Sequence, residues 1–301
     1  MSALSAILRE LRFEAAGYRR LALRAPWAIA FEQAGLRGVH IVLEGRCEAV
    51  FEELAPCALG PGDFVLAPRA DPHVLRSIGG ARCKVISPAQ LGAPGPDGRV
   101  RAGGAGEETV ILCGAFVFHA ADHPALAALP RLIHVPAERG QTPKWLAAYT
   151  DLLNVELAET GPHSAHVMAR LTDALLARAL REYAQASEEP GWLQVLQDPA
   201  LARALAAMHE QMHKAWTLAA LAKLAGMSRA SFAQRFADTM GETPMHYLLR
   251  CRMRRALTLL QDARLGLAQV AQRVGYGSEA ALSSAFKRHF GKTPGTYRRE
   301  H

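Results

Sequence analysis

Two histidines, a carboxylate and a thiol in the first half of the chain have the types and spacing to do chemistry. His40 and Glu44 lie four apart in VHIVLE (39–44). Side chains on a β-strand alternate between faces, so this even spacing puts both on one side. His73, in HVL after PRADP, starts another apolar run, and the parity of His40 and Glu44 can aim both at one interior cavity. Imidazoles and a carboxylate suit a divalent metal. The same groups can instead satisfy one another, and both readings stand. Cys113, in TVILCGAFVF (109–118) near His119 and His123, reads as a redox-reactive thiol or as a small core residue.

These residues need a β framework. Between about 35 and 120 short apolar runs (VHIVLE, DFVLA, CKVIS, TVILCGAFVF) alternate with Gly, Pro and Asp clusters, the pattern of an antiparallel sandwich or barrel. The Gly- and Pro-rich stretch from Pro88 to Gly106 reads as a loop. From Pro143 to about Gln185 the period becomes helical, with Trp145, Ala148, Tyr149, Leu152 and Leu153 on one stripe and Leu171, Leu175, Leu176, Ala179 and Leu180 on another. Two helices broken near Gly161 and Pro162 fit, packed on the sheet or also forming a dimer interface. SEEPG (187–191) then marks a hinge.

The last hundred residues repeat themselves. An offset of 50 pairs Ser228 with Ser278, Phe236 with Phe286, Gly241 with Gly291, Thr243 with Thr293, Pro244 with Pro294 and Tyr247 with Tyr297. Upstream the offset is 49, pairing Leu221, Ala222 and Gly226 with Val270, Ala271 and Gly275, so the second turn is one residue longer. Each copy reads as a helix-turn-helix. A short helix with one buried face ends at a glycine able to take positive φ, and a serine caps the next helix. Phe232, Phe236, Leu282, Phe286 and Phe290 face inward. Arg229, Ala230, Ala233 and Gln234 in the first copy, and Glu279, Ala280, Ser283, Ser284 and Lys287 in the second, face out, free to enter a groove. Between the copies Met245 to about Gln261 forms one helix of seventeen residues, about 26 Å long. That length suits two recognition helices in successive major grooves, about 34 Å apart. Arg250, Arg252, Arg254 and Arg255 on it are candidates for phosphate contacts or a solvated face.

Charge agrees with this division. Residues 200–301 hold sixteen Lys or Arg against six Asp or Glu, a balance of +10, whereas 1–199 hold nineteen against twenty-two, or −3. A basic third of this kind is the footprint of a surface that neutralises phosphates. The five cysteines are scattered with no C-x-x-C pair, which implies reduced thiols rather than a disulfide framework or zinc ribbon. No signal peptide or membrane span is expected, so the chain reads as cytoplasmic.

AALAKLAGMSRASFAQRFADTMGETPMHYL, RMRRALTLL and LAQVAQRVGYGSEAALSSAFKRHFGKTPGTYRR together resemble the DNA-binding domain of AraC/XylS-type regulators. Gly62-DFVLA-Pro68-RADP-His73 resembles the second cupin motif, with Ala70 in place of its inner glycine. The first cupin motif retains His40 and Glu44 but has Gly38 and Val42 beside them where another histidine is expected. With PRADPHVL, ILCGAF and PRLIHVP, residues 1–185 are similar to the cupin-type sensor half of some AraC-like regulators.

The expectation is an α+β protein. Residues 1–142 are a cupin-like antiparallel β-barrel sensor domain, 143–199 a helical linker or dimerisation segment, and 200–301 an all-α DNA-binding domain with helix-turn-helix motifs at about 217–239 and 266–290. The implied function is that of a transcription regulator, an activator rather than an enzyme, with His40, Glu44, His73 and Cys113 at the effector site. Its partners are double-stranded promoter DNA, RNA polymerase (implied by the resemblance), a small-molecule or stress effector and a second copy of itself, and no membrane. No cofactor is required, and a divalent metal at His40, Glu44 and His73 is the one candidate. Two rivals are a metal-dependent cupin enzyme fused to a DNA-binding domain, opposed by the missing histidine, and a DNA-repair methyl acceptor of the Ada type. The latter is opposed by Cys251, the lone cysteine of the basic domain, which lacks a Pro-Cys-His-Arg pattern.

Overall fold

The computed structural model describes residues 13–33, 35–79, 83–118, 129–138, 141–159, 162–186, 192–195, 197–262 and 264–300. His119 and His123 lie outside them. The described chain forms two compact units, 13–186 and 192–300.

The first unit has eleven strands: β1 (Phe13–Arg24), β2 (Ala28–Phe31), β3 (Arg37–Glu44), β4 (Cys47–Phe51), β5 (Cys57–Leu59), β6 (Phe64–Ala67), β7 (His73–Ser77), β8 (Val85–Ile86), β9 (Arg99–Gly103), β10 (Glu108–Phe118) and β11 (Ile133–Val135). They make two sheets, ordered β11-β6-β3-β10-β1-β9 and β5-β4-β7-β2-β8. Pairing is antiparallel except that β9 runs parallel to β1 and β8 parallel to β2. The expected loop from Pro88 to Gly106 therefore contains a strand. The pairing of Arg99–Gly103 with Arg20–Arg24 is long-range, and the glycines that argue against a strand here let the chain lie against the Arg24 backbone. Leu21, Leu23, Trp27, Ile29, Val42, Val65, Leu75 and Ile111 fill the core between the sheets.

Two helices follow, α1 (Lys144–Ala158) and α2 (Pro162–Ala186), in the spans that periodicity predicts. They belong to the same compact unit as the strands, and α2 packs on β1 and β11. Leu175, Leu176 and Ala179 are the buried stripe of α2.

The second unit is helical: α3 (Trp192–Val195), α4 (Pro199–Glu210), α5 (Leu218–Ala225), α6 (Arg229–Met240), α7 (Pro244–Leu260), α8 (Leu267–Arg273), α9 (Glu279–Phe290) and α10 (Pro294–Glu300). Local chemistry sets its boundaries. Gly226 ends α5 at φ +70°, and Ser228 caps α6 by accepting from the Ser231 N–H at 3.1 Å. Ser278 does the same for Ala281 at the start of α9, also at 3.1 Å. Thr243 caps α7, with Pro244 in the first turn, where a missing N–H costs nothing. α7 joins two cores. Tyr247 meets Phe236 at 6.0 Å between ring centres, while Met253, Ala256 and Leu260 pack with Val270, Leu282 and Phe286. Among the described residues no helix is long and apolar enough to cross a membrane.

Ala70, in the turn from β6 to β7, sits at φ +60°, the left-handed region that a motif glycine would occupy without strain. An L side chain costs about 1–2 kcal/mol there, against about 0.5–1 kcal/mol of chain entropy for glycine. Ala70→Gly is therefore expected to stabilise the protein by up to about 1.5 kcal/mol, read as a higher urea midpoint. An unchanged or lower midpoint would show that the turn carries no strain.

Candidate functional site

Register brings the sequence-predicted residues together from both sheets. His40 on β3 is the direct cross-strand partner of Cys113 on β10, while His73 opens β7 in the other sheet, level with Phe31 on β2 and Phe51 on β4. His40 Nε2 and His73 Nε2 are 2.8 Å apart, a hydrogen bond that joins the sheets. His73 Nδ1 lies 3.0 Å from the Asp71 carbonyl, which can only accept, so that nitrogen carries the proton. The neutral His73 ring then accepts at Nε2, His40 donates from its own Nε2, and His40 Nδ1 accepts from the Cys113 thiol at 3.3 Å. One relay runs from Cys113 through both rings to the backbone, with every polar atom used.

Burial enforces neutrality along it. Burial, then the charge of His73, holds His40 well below 6.5, and burial also lowers His73 against the pull of the Asp71 carbonyl and carboxylate. Burial pushes the Cys113 thiol up, so in this structure it is a protonated donor to His40. The His73 ring stacks between Phe31 and Phe51, with centroid distances of 5.0 and 4.8 Å. Gly38 makes the room: a Cβ there would stand 2.8 Å from His40 Nε2. Phe31 and Phe51 escape sequence reasoning because the register that gathers them is long-range.

Glu44 does not join this group. The β3–β10 ladder steps from Val42 opposite Ile111 to Glu44 opposite Val110, so a bulge at Leu43 breaks the alternation. Glu44 is turned outward, 60% exposed and 3.9 Å from Arg99. Among the described residues no group of three or more His, Cys, Asp or Glu side chains is arranged to hold a metal. Two imidazole nitrogens bonded to each other are not a coordination site, so these residues do not fit a cupin metal centre.

Above the relay opens a cavity of about 400 Å³, whose lining includes His73 and Cys113. His40, only 1% exposed, lies behind them. The walls are mostly apolar, with Leu21, Ala30, Phe31, Leu36, Leu91 and Tyr18, while Arg19, Glu32, Gln33 and Arg37 add polar atoms. Thr172 of α2 donates to the Met168 carbonyl at 2.8 Å, leaving its oxygen to accept from the Tyr18 hydroxyl at 3.1 Å. Burial raises Tyr18 to about 12. A cavity wall is thus bonded directly to α2.

In the helical unit Phe232, Phe236, Leu282 and Phe286 are fully buried. Arg229, Ala230, Gln234, Glu279, Ala280, Ser284 and Lys287 are exposed, and Ala233 and Ser283 half-buried, so all nine lie on the expected outward faces of α6 and α9. Gln234 donates to Asp238 at 2.8 Å. The linker arginines divide: Arg250 pairs with Glu242 at 2.7 Å, Arg252 turns to backbone carbonyls, and Arg255 is exposed.

Residues 2–185 match a family model described as Cupin, and 221–300 one described as Helix-turn-helix domain. A putative AraC-like transcription regulator of Streptomyces lividans is 34% identical over 279 residues, covering 91% of this chain and 90% of that one. The chain belongs to the AraC-like transcription regulators. The HTH-type transcriptional regulator AlkR of Acinetobacter baylyi is 31% identical and aligns over 100% of both chains. Among solved structures, the DNA-binding domain of AdpA in complex with a target DNA is 34% identical, covering 34% of this chain and 92% of that one, at a TM-score of 0.33. In this AraC-like regulator the cavity and relay fall within the cupin match, and both outward helix faces within the helix-turn-helix match.

The relay implies a pH dependence. A histidine whose folded pKa lies below its unfolded value binds fewer protons folded than unfolded once pH falls past 6.5. Its stability is intact above that pH and lost below it. Between pH 7.5 and 5.5 the wild type is expected to lose about 1–3 kcal/mol more than the double variant His40→Gln/His73→Phe. Equal losses in urea unfolding would mean the pair is not held neutral.

Proposed function

We propose that this AraC-like regulator is a one-component switch. A small, largely apolar molecule enters the cavity above His73 and Cys113, and α6 and α9 read double-stranded promoter DNA. The observation that carries the reading is the satisfied relay. Because both imidazoles, the thiol and the Asp71 carbonyl already have partners, the floor demands no polar head from a ligand, and apolar walls favour hydrocarbon or aromatic surface. The same satisfied, neutral groups favour binding over chemical conversion. Residues 1–142 with α1 and α2 would form the sensing part and 200–301 the output. Ala148, Leu152 and Val155 form an exposed stripe on α1, with Leu152 51% and Val155 60% exposed, and suit a homodimer. Activation through RNA polymerase, in the cytoplasm where promoter DNA lies, follows from the family resemblance.

On DNA, Arg229 and Lys287 are assigned to phosphates, and Gln234 and Ser284 to base edges. Ala230, Ala233 and Ala280 offer only methyl contacts to thymine, while Glu279 and Ser283 flank them on α9.

Two measurements test this. Full-length protein with DNA selected from a random pool should show a log affinity against log salt slope near −5, for about six phosphate contacts. Arg229→Ala or Lys287→Ala should flatten that slope by roughly one unit each, while Gln234→Ala or Ser284→Ala should alter the selected sequence. Equal affinity for all sequences, with no salt dependence, would remove the DNA assignment. For the cavity, Ala115→Phe, filling it from a half-buried wall position, should abolish thermal stabilisation by apolar ligands while leaving DNA affinity within about twofold. An undiminished ligand shift would place the effector elsewhere.

A further inference from the structure

The two helix-turn-helix copies are alike in sequence but not in surroundings, and the difference centres on one arginine. Gly226 and Gly275 occupy matching positions, both with positive φ, +70° and +81°. Nothing lies within 4 Å of where a Cβ on Gly226 would be. A Cβ on Gly275 would meet the Met212 and His213 carbonyl oxygens at 2.9 Å and Arg252 Nη2 at 2.7 Å. The turn of the second motif is therefore pressed against the loop that enters the first.

Arg252, near the middle of α7, fills that junction. Its Nε donates to the Met212 carbonyl at 3.2 Å, and its Nη2 to the carbonyls of Met212 at 3.1 Å and Lys214 at 2.6 Å. Its guanidinium lies over the Tyr276 ring at 5.8 Å from the centroid. The planar fork and flat cation together suit this geometry, and a lysine ammonium supplies neither. We propose that Arg252 is a positioning residue for DNA recognition. It locks the Met212–Lys214 loop against the Gly275–Tyr276 turn, fixing α6 relative to α9 and so setting the separation between DNA boxes that the protein accepts. This rests on the reading of α6 and α9 as two groove-binding helices.

A rigid pair of binding elements gains affinity only when both engage together, and loses that gain when the spacing is wrong. One inserted base pair moves a box by about 3.4 Å and turns it by about 35°. The probe is the duplex that the full-length wild type selects from random DNA, together with versions carrying one or two base pairs inserted between its two boxes. Wild type is expected to lose about 100-fold in affinity on a single insertion. Arg252→Lys and Tyr276→Leu are expected to lose less than about 10-fold, and to select boxes at mixed spacings. Tyr276→Phe, which keeps the ring face, should discriminate as wild type does. Folding is checked by circular dichroism, and either loss-of-clamp variant suffices. Wild-type spacing discrimination in a folded Arg252→Lys or Tyr276→Leu, or loss of binding to single boxes as well, would overturn the proposal. A wild type that selects no paired boxes would overturn the reading beneath it.

Discussion

The hydrogen bond between His40 and His73, 2.8 Å long and buried between two sheets, is the constraint around which the first unit is arranged. It requires one ring to donate and the other to accept, and the whole relay, in which His40 Nδ1 also accepts from the Cys113 thiol, holds only while both are neutral. Burial supplies that condition by penalising either imidazolium. Its geometry in turn requires a glycine at 38, a carbonyl at Asp71 to fix the tautomer of His73, and a thiol at 113 to satisfy the last nitrogen. An unpaired polar atom in that setting would cost about 1–3 kcal/mol, so the relay favours completeness over openness. This is why the floor of the cavity, although built from residues that elsewhere bind metals or attack electrophiles, presents a finished surface.

The cavity is linked to the rest of its unit by an equally specific contact. The phenol of Tyr18 forms part of the wall, and its hydroxyl reaches Thr172 on α2, whose own proton goes to the Met168 carbonyl. Gly114 leaves space for the ring, since a Cβ there would come within 3 Å of it. A ligand that displaces Tyr18 must break or move this bond, and α2 is the element that feels it.

The helical unit depends on repetition and on its failure. Glycine at positive φ and a serine cap make a similar turn twice, the second one residue longer, because both devices act within a few residues and need no tertiary support. The two copies then differ in what they touch. Arg252 and Gly275 tie the second turn to the loop before the first motif, and Arg298 donates to the Leu260 and Leu265 carbonyls at 3.2 and 2.8 Å. Arginines that sequence reasoning offered to phosphates are in part internal fastenings. Those that hold carbonyls are held in place by them.

What the chain could state by itself was local. The period of Leu221, Ala222, Phe232 and Phe236, the capping residues and the charge imbalance determined the paired helix-turn-helix architecture and its outward faces, because each rests on spacing within one or two helical turns. The resemblance to the cupin motif likewise identified His40 and His73. Tertiary structure alone decided what those histidines do. Register between strands far apart in sequence set His73 between Phe31 and Phe51 and placed Cys113 beside His40. A single bulge at Leu43 reversed the face on which Glu44 emerges, cancelling the three-donor site that strict alternation implies. A period-two pattern carries no record of an inserted residue until its partner strand is known, and for that reason the pairing of Glu44 with His40 on one face could be expected from the sequence while its outward turn could not.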